Sequence, residues 1–257
     1  MVQEAKPILT ERKGSIFIVT INRPEAKNAI NEAAAIEMCK AMDEFDSDDS
    51  LFVAILTGAG DSFSSGADLK ALARGENLFN TERGGFGIFR KPPRKPIIAA
   101  VEGYAVAGGT ELCLSCDLIV AANNSKMGLP EVRHNLVAVG GGLIRLPKRM
   151  PYHRVMELAL TAEMVSVEEF HKYGVVNQLA EPGKALEAAI ELAERITQNG
   201  PTALQATKQI IQSTFDWTEE EAWEKQMEIA QVAHDSEDRK EGLKAFAEKR
   251  KPVWKGR

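Results

Sequence analysis

Nothing in this chain comes near the roughly 20 consecutive apolar residues that a bilayer-spanning helix needs, so no segment reads as a transmembrane helix. The opening MVQEAKPILTERKG has no apolar h-region, and no secretory signal is expected. Cysteine is scarce, with three residues in 257. That is too few for a disulfide framework in a chain this long and fits a reducing, cytoplasmic setting. Positive charge is not in excess either. The formal net charge of -5 gives no reason to expect nucleic acid as a partner. An anionic ligand has to be held by local lysines and helix ends.

Familiar signatures are missing as well. There is no GxxxxGK[ST] and no GxGxxG after a strand, which argues against a Walker-type phosphate loop and a dinucleotide fold. GxSxG is absent, so an α/β-hydrolase nucleophile is not expected. His134, His153, His171 and His234 are scattered without metal-ligand spacing, and no metal site is expected. His134 lies close to Glu131 in sequence but reads as solvent-exposed. Ser62, Ser64 and Ser65 have no evident histidine partner and read as turn residues. Cys113 and Cys116 form CxxC with no second pair, inside an apolar run, and read as buried structural thiols.

What is present is an ordinary soluble composition, 44% hydrophobic and 27% charged. The length suits one large domain, or one domain with an appendage. Residues 95–122, KPIIAAVEGYAVAGGTELCLSCDLIVAA, organise the rest. Ile97 to Val101 reads as a strand buried on both faces. A turn follows at Glu102-Gly103-Tyr104, then Ala107-Gly108-Gly109 and a helix opening with Thr110-Glu111-Leu112. The run Asp117 to Ala122 closes the unit as a second strand. Adjacent glycines let a ligand approach the backbone, and free N–H groups at a helix start favour negative charge.

Around this unit the same alternation recurs. Residues 7–21 read as two extended segments about Lys13-Gly14, with Ile16 to Ile21 covered on both faces. Asn31 is a suitable N-cap for a helix whose buried stripe is Ala35, Cys39, Met42 and Phe45. The acidic cluster Asp46 to Asp49 ends that helix and reads as a solvated turn. Leu51 to Leu56 is another apolar strand, leading through Gly58, Gly60 and Gly66-Ala67-Asp68 into a short helix, Leu69 to Ala73. Arg74 to Lys91 shows little periodicity and reads as a long, partly mobile loop that serves as a lid or pocket wall. Gly140 to Gly142 opens a helix toward Arg149, and Pro151 starts another. Ser166 with Glu169 is expected to form a capping box, and Val175 to Leu179 a last strand. Four helices follow, near 184–197, 202–214, 219–233 and 237–248. Thr218 with Glu221 supplies a capping box for the third. Trp217, Trp223 and Trp254 read as packing anchors for these helices.

Two glycine turns that each enter a helix, Gly66-Ala67 and Gly108-Gly109, could aim backbone N–H groups at one oxygen. Two carboxylates, Glu111 and Glu131, follow glycine or proline turns. Paired carboxylates can divide acid and base roles if their environments push their pKa values apart. On the residues alone, simple helix capping accounts for both glutamates equally well.

FSSGADLK, IAAVEGYAVAGGTELCLSCDLIVA, GLPEVRHNLVAVGGGLIRLP and EGLKAFAEKRKPVWKGR, in that order and with INRPEAKNAIN before them, resemble consecutive motifs of the crotonase (enoyl-CoA hydratase/isomerase) superfamily. The resemblance covers nearly the whole chain. It implies an α/β fold, a spiral of ββα units, with residues 1–195 as the core that holds the CoA and catalytic site. It implies residues 196–257 as a C-terminal helical region for assembly into a homotrimer or dimer of trimers. An acyl-CoA thioester is the implied substrate, with no cofactor beyond the CoA that the substrate carries. Carried over residue by residue, the N–H groups of Ala67 and Gly108 bind the thioester oxygen. Glu131 gives a proton to C2, and Glu111 holds and activates the water. Lys27, Ser65, Ala67, Asp68, Leu69 and Lys70 fall where the family wraps CoA. Phe246 and Lys249 fall where it reaches the CoA of a neighbouring subunit. Both acids present favours enoyl-CoA hydratase, with Δ3,Δ2-enoyl-CoA isomerase or a carnitinyl-CoA dehydratase-like lyase as the alternative. Asn135, Ala138, Val139 and Leu143-Ile144 depart from the pattern of many short-chain hydratases. They look more like the branch containing carnitinyl-CoA dehydratase and actinobacterial hydratases of steroid side chains, so the acyl pocket is not expected to be tuned to crotonyl-CoA alone.

Overall fold

The computed structural model describes residues 6–257. Residues 1–5, which open the expected core and the segment read for a leader, lie outside the described residues. In chain order the strands are β1 (Ile8–Lys13), β2 (Ile16–Ile21), β3 (Val53–Gly58), β4 (Ile97–Val101), β5 (Tyr104–Val106), β6 (Leu118–Ala122), β7 (Lys126–Gly128), β8 (Val165–Ser166) and β9 (Gln178–Ala180). The helices are α1 (Glu32–Ser47), α2 (Leu69–Ala73), α3 (Gly108–Ser115), α4 (Gly142–Arg145), α5 (Tyr152–Thr161), α6 (Val167–Lys172), α7 (Ala185–Ile196), α8 (Pro201–Ser213), α9 (Glu219–His234) and α10 (Glu237–Ala247). The fold is α/β, as the sequence implies.

One sheet has the order β1-β2-β3-β4-β6-β9, and a smaller one the order β5-β7-β8. β1 and β2 form an antiparallel hairpin, and every other pairing in the larger sheet is parallel. Its central strands are buried on both faces, as continuous apolar runs require. The alternation is still visible. Ile16, Ile18, Val53, Ile55, Ile98 and Val120 face α7, whose Ala189 and Ala193 are fully buried against them. Phe17, Val19, Ala54, Leu56, Ala99 and Ile119 face the opposite way, into the main core with α1 and α3.

Several local expectations need correction. β3 begins two residues later than the apolar run Leu51 to Leu56, because Leu51 and Phe52 are buried without joining the parallel ladder. The last strand is Gln178–Ala180 and not Val175 to Leu179. The N–H groups of Val175 and Val176 both turn back to the carbonyl of Phe170, so those apolar residues close a turn. Ser166 caps no N–H of α6 through its side chain, and Glu169 pairs with Arg154 at 3.1 Å instead. The box at Thr218 and Glu221 does form. Trp254 is an anchor, with its indole N–H on the carbonyl of Gln198 and its ring over Gly242. Trp223 is not: it is 66% exposed on α9, which buries no residue within the chain.

The largest correction concerns residues 74–91. The segment packs into the core, with Leu78, Phe86, Ile88 and Phe89 all buried. Its tie is Arg83, itself buried, whose guanidinium reaches Asp43 at 2.7 Å, Asp46 at 2.6 Å and the carbonyls of Met42 and Lys91. Asp46 also accepts the N–H of Arg94. The acidic end of α1 is thus the socket for this segment, and Asp46 is not solvated. Asp48 and Asp49 do lie at the turn, where Asp48 bonds Ser50 and Arg12. Replacing Arg83 by Ala leaves Asp46 buried and unpaired. It is expected to lower the urea midpoint by the equivalent of about 3–5 kcal/mol, whereas Arg12→Ala at the exposed pair should cost under about 1 kcal/mol.

Candidate active site

The site begins with the parallel order of β3 and β4, which places the turns that follow them side by side. The turns are stitched together by backbone bonds: Phe63 N–H to Glu102 carbonyl, Ser64 N–H to Tyr104 carbonyl, and Val106 N–H to Ser64 carbonyl. Buried Asn28 supports the first turn, its amide donating to the carbonyls of Ala59 and Ser62. Glycine is required where the turns touch. A Cβ on Gly66, which has φ +89°, would lie 2.9 Å from the N of Gly108, and one on Gly109 would collide with the carbonyl of Ser64.

Two N–H groups are left free by this arrangement. Ile30 donates to the carbonyl of Gly66 and accepts from the N–H of Asp68, so the N–H of Ala67 between them faces the other way. Gly108 is the first residue of α3, where an N–H has no intrahelical partner. Neither has an acceptor among the described residues. Ala107, just before Gly108, sits at φ +54°, ψ -122°. Such a conformation costs a non-glycine residue about 1–3 kcal/mol. It is held by its N–H on Gly128 and its carbonyl under Glu111, with Thr110 Oγ1 accepting the N–H of Gly128 beside it.

Both glutamates line one apolar cavity of ≈ 300 Å³ with Ala67, Gly108, Phe79, Phe86, Phe89 and Val137. Their environments differ. Glu111 is buried on α3, and its Oε1 accepts the N–H of Gly142 at 2.9 Å. Burial raises its pKa, while the N–H groups of Gly142 and Gly140 and the charge of Arg145 favour the carboxylate. Glu131 opens the short 3-10 turn Glu131–His134 after Pro130. Its Oε2 is buried with no hydrogen-bond partner among the described residues. Burial, reinforced by the nearby charge of Glu111, pushes its pKa up to about 7.

The other expected residues are placed as follows. Ser65 and Leu69 line the same cavity, and Lys70 is exposed beside Leu69 on α2. Lys27 is exposed and pairs with Asp61 at 3.1 Å, while its carbonyl holds the N–H of Ser65. Asp68 is already engaged, capping Lys70 and Ala71 at 3.1 Å and pairing with Arg23 at 3.0 Å. Phe246, 87% exposed, and Lys249 lie at the end of α10 and do not line the cavity of their own chain. His134 is exposed yet stands on the cavity rim. Cys113 and Cys116 are buried free thiols whose pKa values burial raises. Among the described residues no three His, Cys, Asp or Glu gather as a metal site, and no helix is long and apolar enough to cross a membrane.

Sequence reasoning missed Phe79, Phe86 and Phe89, which had no periodicity to betray them. It also missed Gly140 and Gly142 as partners of Glu111, although the triple glycine was a visible signal. A Cβ on Gly140 would stand 2.5 Å from Oε2 of Glu111. A second hollow of ≈ 470 Å³ shares Phe79, Phe89 and Val139 with the cavity. Another hollow, ≈ 660 Å³ between residues 92–95 and α8–α9, has neither glutamate in its lining.

Residues 11–257 match the protein family described as Enoyl-CoA hydratase/isomerase. The chain is 38% identical to the enoyl-CoA hydratase EchA19 of Mycobacterium tuberculosis, over all of this chain and 99% of that one. It is 42% identical to the carnitinyl-CoA dehydratase of Escherichia coli K12, over 96% and 97% of the two. The solved structure of the enoyl-CoA hydratase EchA1 from Mycobacterium marinum superposes with a TM-score of 0.95 at 55% identity, covering 98% of this chain and all of that one.

The raised pKa of Glu131 has a consequence for stability. Between the ordinary 4.5 and about 7 the folded protein keeps a proton that the unfolded chain has lost. Stability therefore falls as pH rises through that window. Glu131→Gln removes this loss, and its melting temperature is expected to exceed that of the parent at pH 8 but not at pH 4. The gain is on the order of 1–2 kcal/mol once solvent screening of a half-buried group is included.

Proposed function

The chain belongs to the enoyl-CoA hydratase/isomerase family, and from that premise we propose that it adds water reversibly across the 2,3 double bond of a 2-enoyl-CoA. The observation that carries this reading is a pair of carboxylates in one apolar cavity, Glu111 buried and Glu131 half-buried, held in unlike environments. Glu111, supported by N–H donors and a nearby cation, suits the carboxylate that takes a proton from water. Glu131, whose pKa lies near neutrality, suits the acid that delivers a proton to C2.

In the forward direction the thioester oxygen accepts the N–H groups of Ala67 and Gly108. Glu111 takes a proton from water as its oxygen bonds to C3. The C2–C3 π electrons move toward the thioester, and enolate charge collects on the held oxygen. Glu131 gives its proton to C2, the carbonyl re-forms, and the proton left on Glu111 returns to Glu131 through solvent. Water's two parts end on C3 and C2 and no other reactant is consumed. Loss of one oxyanion donor costs about 3–4 kcal/mol in related chemistry.

CoA is held by Ser65 and Leu69 in the cavity lining and by the exposed Lys27 and Lys70. Asp68 shapes that turn through its cap and its pair with Arg23. A homotrimer or dimer of trimers brings Phe246 and Lys249 to a neighbour's CoA. The support is the exposed apolar surface of α9 and α10, with Trp223, Met227, Val232, Leu243 and Phe246. Buried free thiols support a reducing, cytoplasmic setting.

Glu111→Gln and Glu131→Gln are each expected to lower kcat for hydration by roughly 100- to 10,000-fold, read as loss of enoyl-thioester absorbance. If Glu111→Gln keeps its rate on a 3-enoyl-CoA, and the parent hydrates nothing, the enzyme is an isomerase that relies on Glu131. The wall sets the acyl range. Phe79→Ala joins the cavity to the neighbouring hollow and is expected to raise kcat/KM for long or bulky enoyl-CoAs relative to crotonyl-CoA by about tenfold.

A further inference from the structure

Arg145 enters the scheme above only as a charge near Glu111, yet its guanidinium lies where three parts of the site meet. Its Nη1 donates to Ser115 Oγ and to the carbonyl of Gly140, both at 3.1 Å. Its Nη2 donates to the carbonyl of Phe89. Ser115 Oγ in turn donates to the backbone carbonyl of Glu111 at 2.8 Å. The contacts thus close a ring. Arg145 joins the helix that carries Glu111, the glycine turn that donates to Glu111, and the phenylalanine wall beside it. Gly141, at φ +106°, leaves the guanidinium room to pass, since a Cβ there would collide with Nη1. Arg145 forms no salt bridge among the described residues. A half-buried cation without an ion pair is costly, and neutral donors could have made the same three bonds.

We propose that Arg145 is the positioning residue of the catalytic pair, fixing the Gly140–Gly142 turn against α3 and presenting its charge to Glu111. The fork geometry is what lets one side chain serve carbonyls on separate elements at once. The charged groups around Glu111 are few. Glu131 faces it across the cavity and Arg145 from α4. Arg149 stands behind Arg145 near Asp117 and Cys116. His134 is on the rim, and the 74–91 wall contributes only phenylalanines to the cavity. Among the described residues Arg145 is the cation whose charge bears on Glu111, and it favours the carboxylate.

The kinetic part of this inference rests on the hydratase reading, and the structural part does not. The test follows the Glu111 carboxyl by carbon-13 NMR of side-chain-labelled glutamate, assigned with Glu111→Gln, beside pH profiles of kcat and KM. In Arg145→Gln the Glu111 midpoint is expected to rise by about one pH unit. The acid limb of kcat/KM moves up with it, while kcat drops roughly tenfold and KM changes little. Arg145→Lys keeps the charge, so the midpoint returns toward the parent while kcat stays low, because an ammonium cannot reproduce the fork. Should Arg145→Gln not fold, Ser115→Ala cuts the ring while leaving the cation, and kcat is expected to fall severalfold at an unmoved acid limb. A folded Arg145→Gln with an unmoved Glu111 midpoint and acid limb overturns the proposal, as does a Ser115→Ala enzyme with unchanged kcat. If the parent hydrates no 2-enoyl-CoA but the Glu111 midpoint still moves in Arg145→Gln, the hydratase reading fails and the positioning role stands.

Discussion

The backbone ladder between residues 63–64 and 102–106 is the interaction on which the site depends. It joins the turns after two adjacent parallel strands, and ligand sites in parallel sheets form at such strand ends. Here the joining is close enough that Gly66 and Gly108 nearly touch. With the ladder set and Ile30 bonded to Gly66 and Asp68, Ala67 has one direction left for its N–H. The helix start at Gly108 is brought beside it, and Ala107 is held in a conformation it would not adopt alone. The strain is local and the support is distributed over Asn28, Thr110 and Gly128.

Around those donors the chain builds a mostly apolar cavity and then admits two acids. Among the described residues neither is paired with a cation by direct contact. Their difference comes from what surrounds them: N–H groups and a guanidinium for Glu111, and an orphaned oxygen for Glu131. The cost of keeping one carboxyl oxygen of Glu131 buried without a partner among the described residues is borne by the folded state. Functional sites commonly trade stability in this way.

Much of this is legible in the sequence. Apolar runs and a Lys-Gly turn place β4, β1 and β2, and the buried stripe and Asn31 place α1. Ala67, Gly108, Glu111 and Glu131 stand out by the glycine and proline turns they follow or complete, and they share a cavity. Contact between distant segments is what a linear reading does not carry. Asp46 looks like one acid of a solvated cluster because its partner, Arg83, lies 37 residues away. Residues 74–91 look loose because irregular backbone gives no period, even when its phenylalanines are buried. Val175 and Val176 look like strand because burial, and not pairing, is what an apolar run reports. Arg145 carries no signal at all, since its role depends on three carbonyl and hydroxyl groups that only folding brings together.

The tie at Arg83 makes the phenylalanine wall of the cavity a fixture. Three hydrogen bonds from a single guanidinium hold it to α1 and a fourth reaches the carbonyl of Lys91, so Phe86 and Phe89 cannot be displaced without exposing buried charge. A cavity built this way does not mould itself to its guest. Little ordering entropy remains to be lost when a fitting guest arrives. On the proposed reading, a misfit acyl group would be turned away by steric overlap, not accommodated at reduced affinity. Discrimination then resides in what the wall refuses more than in what it attracts.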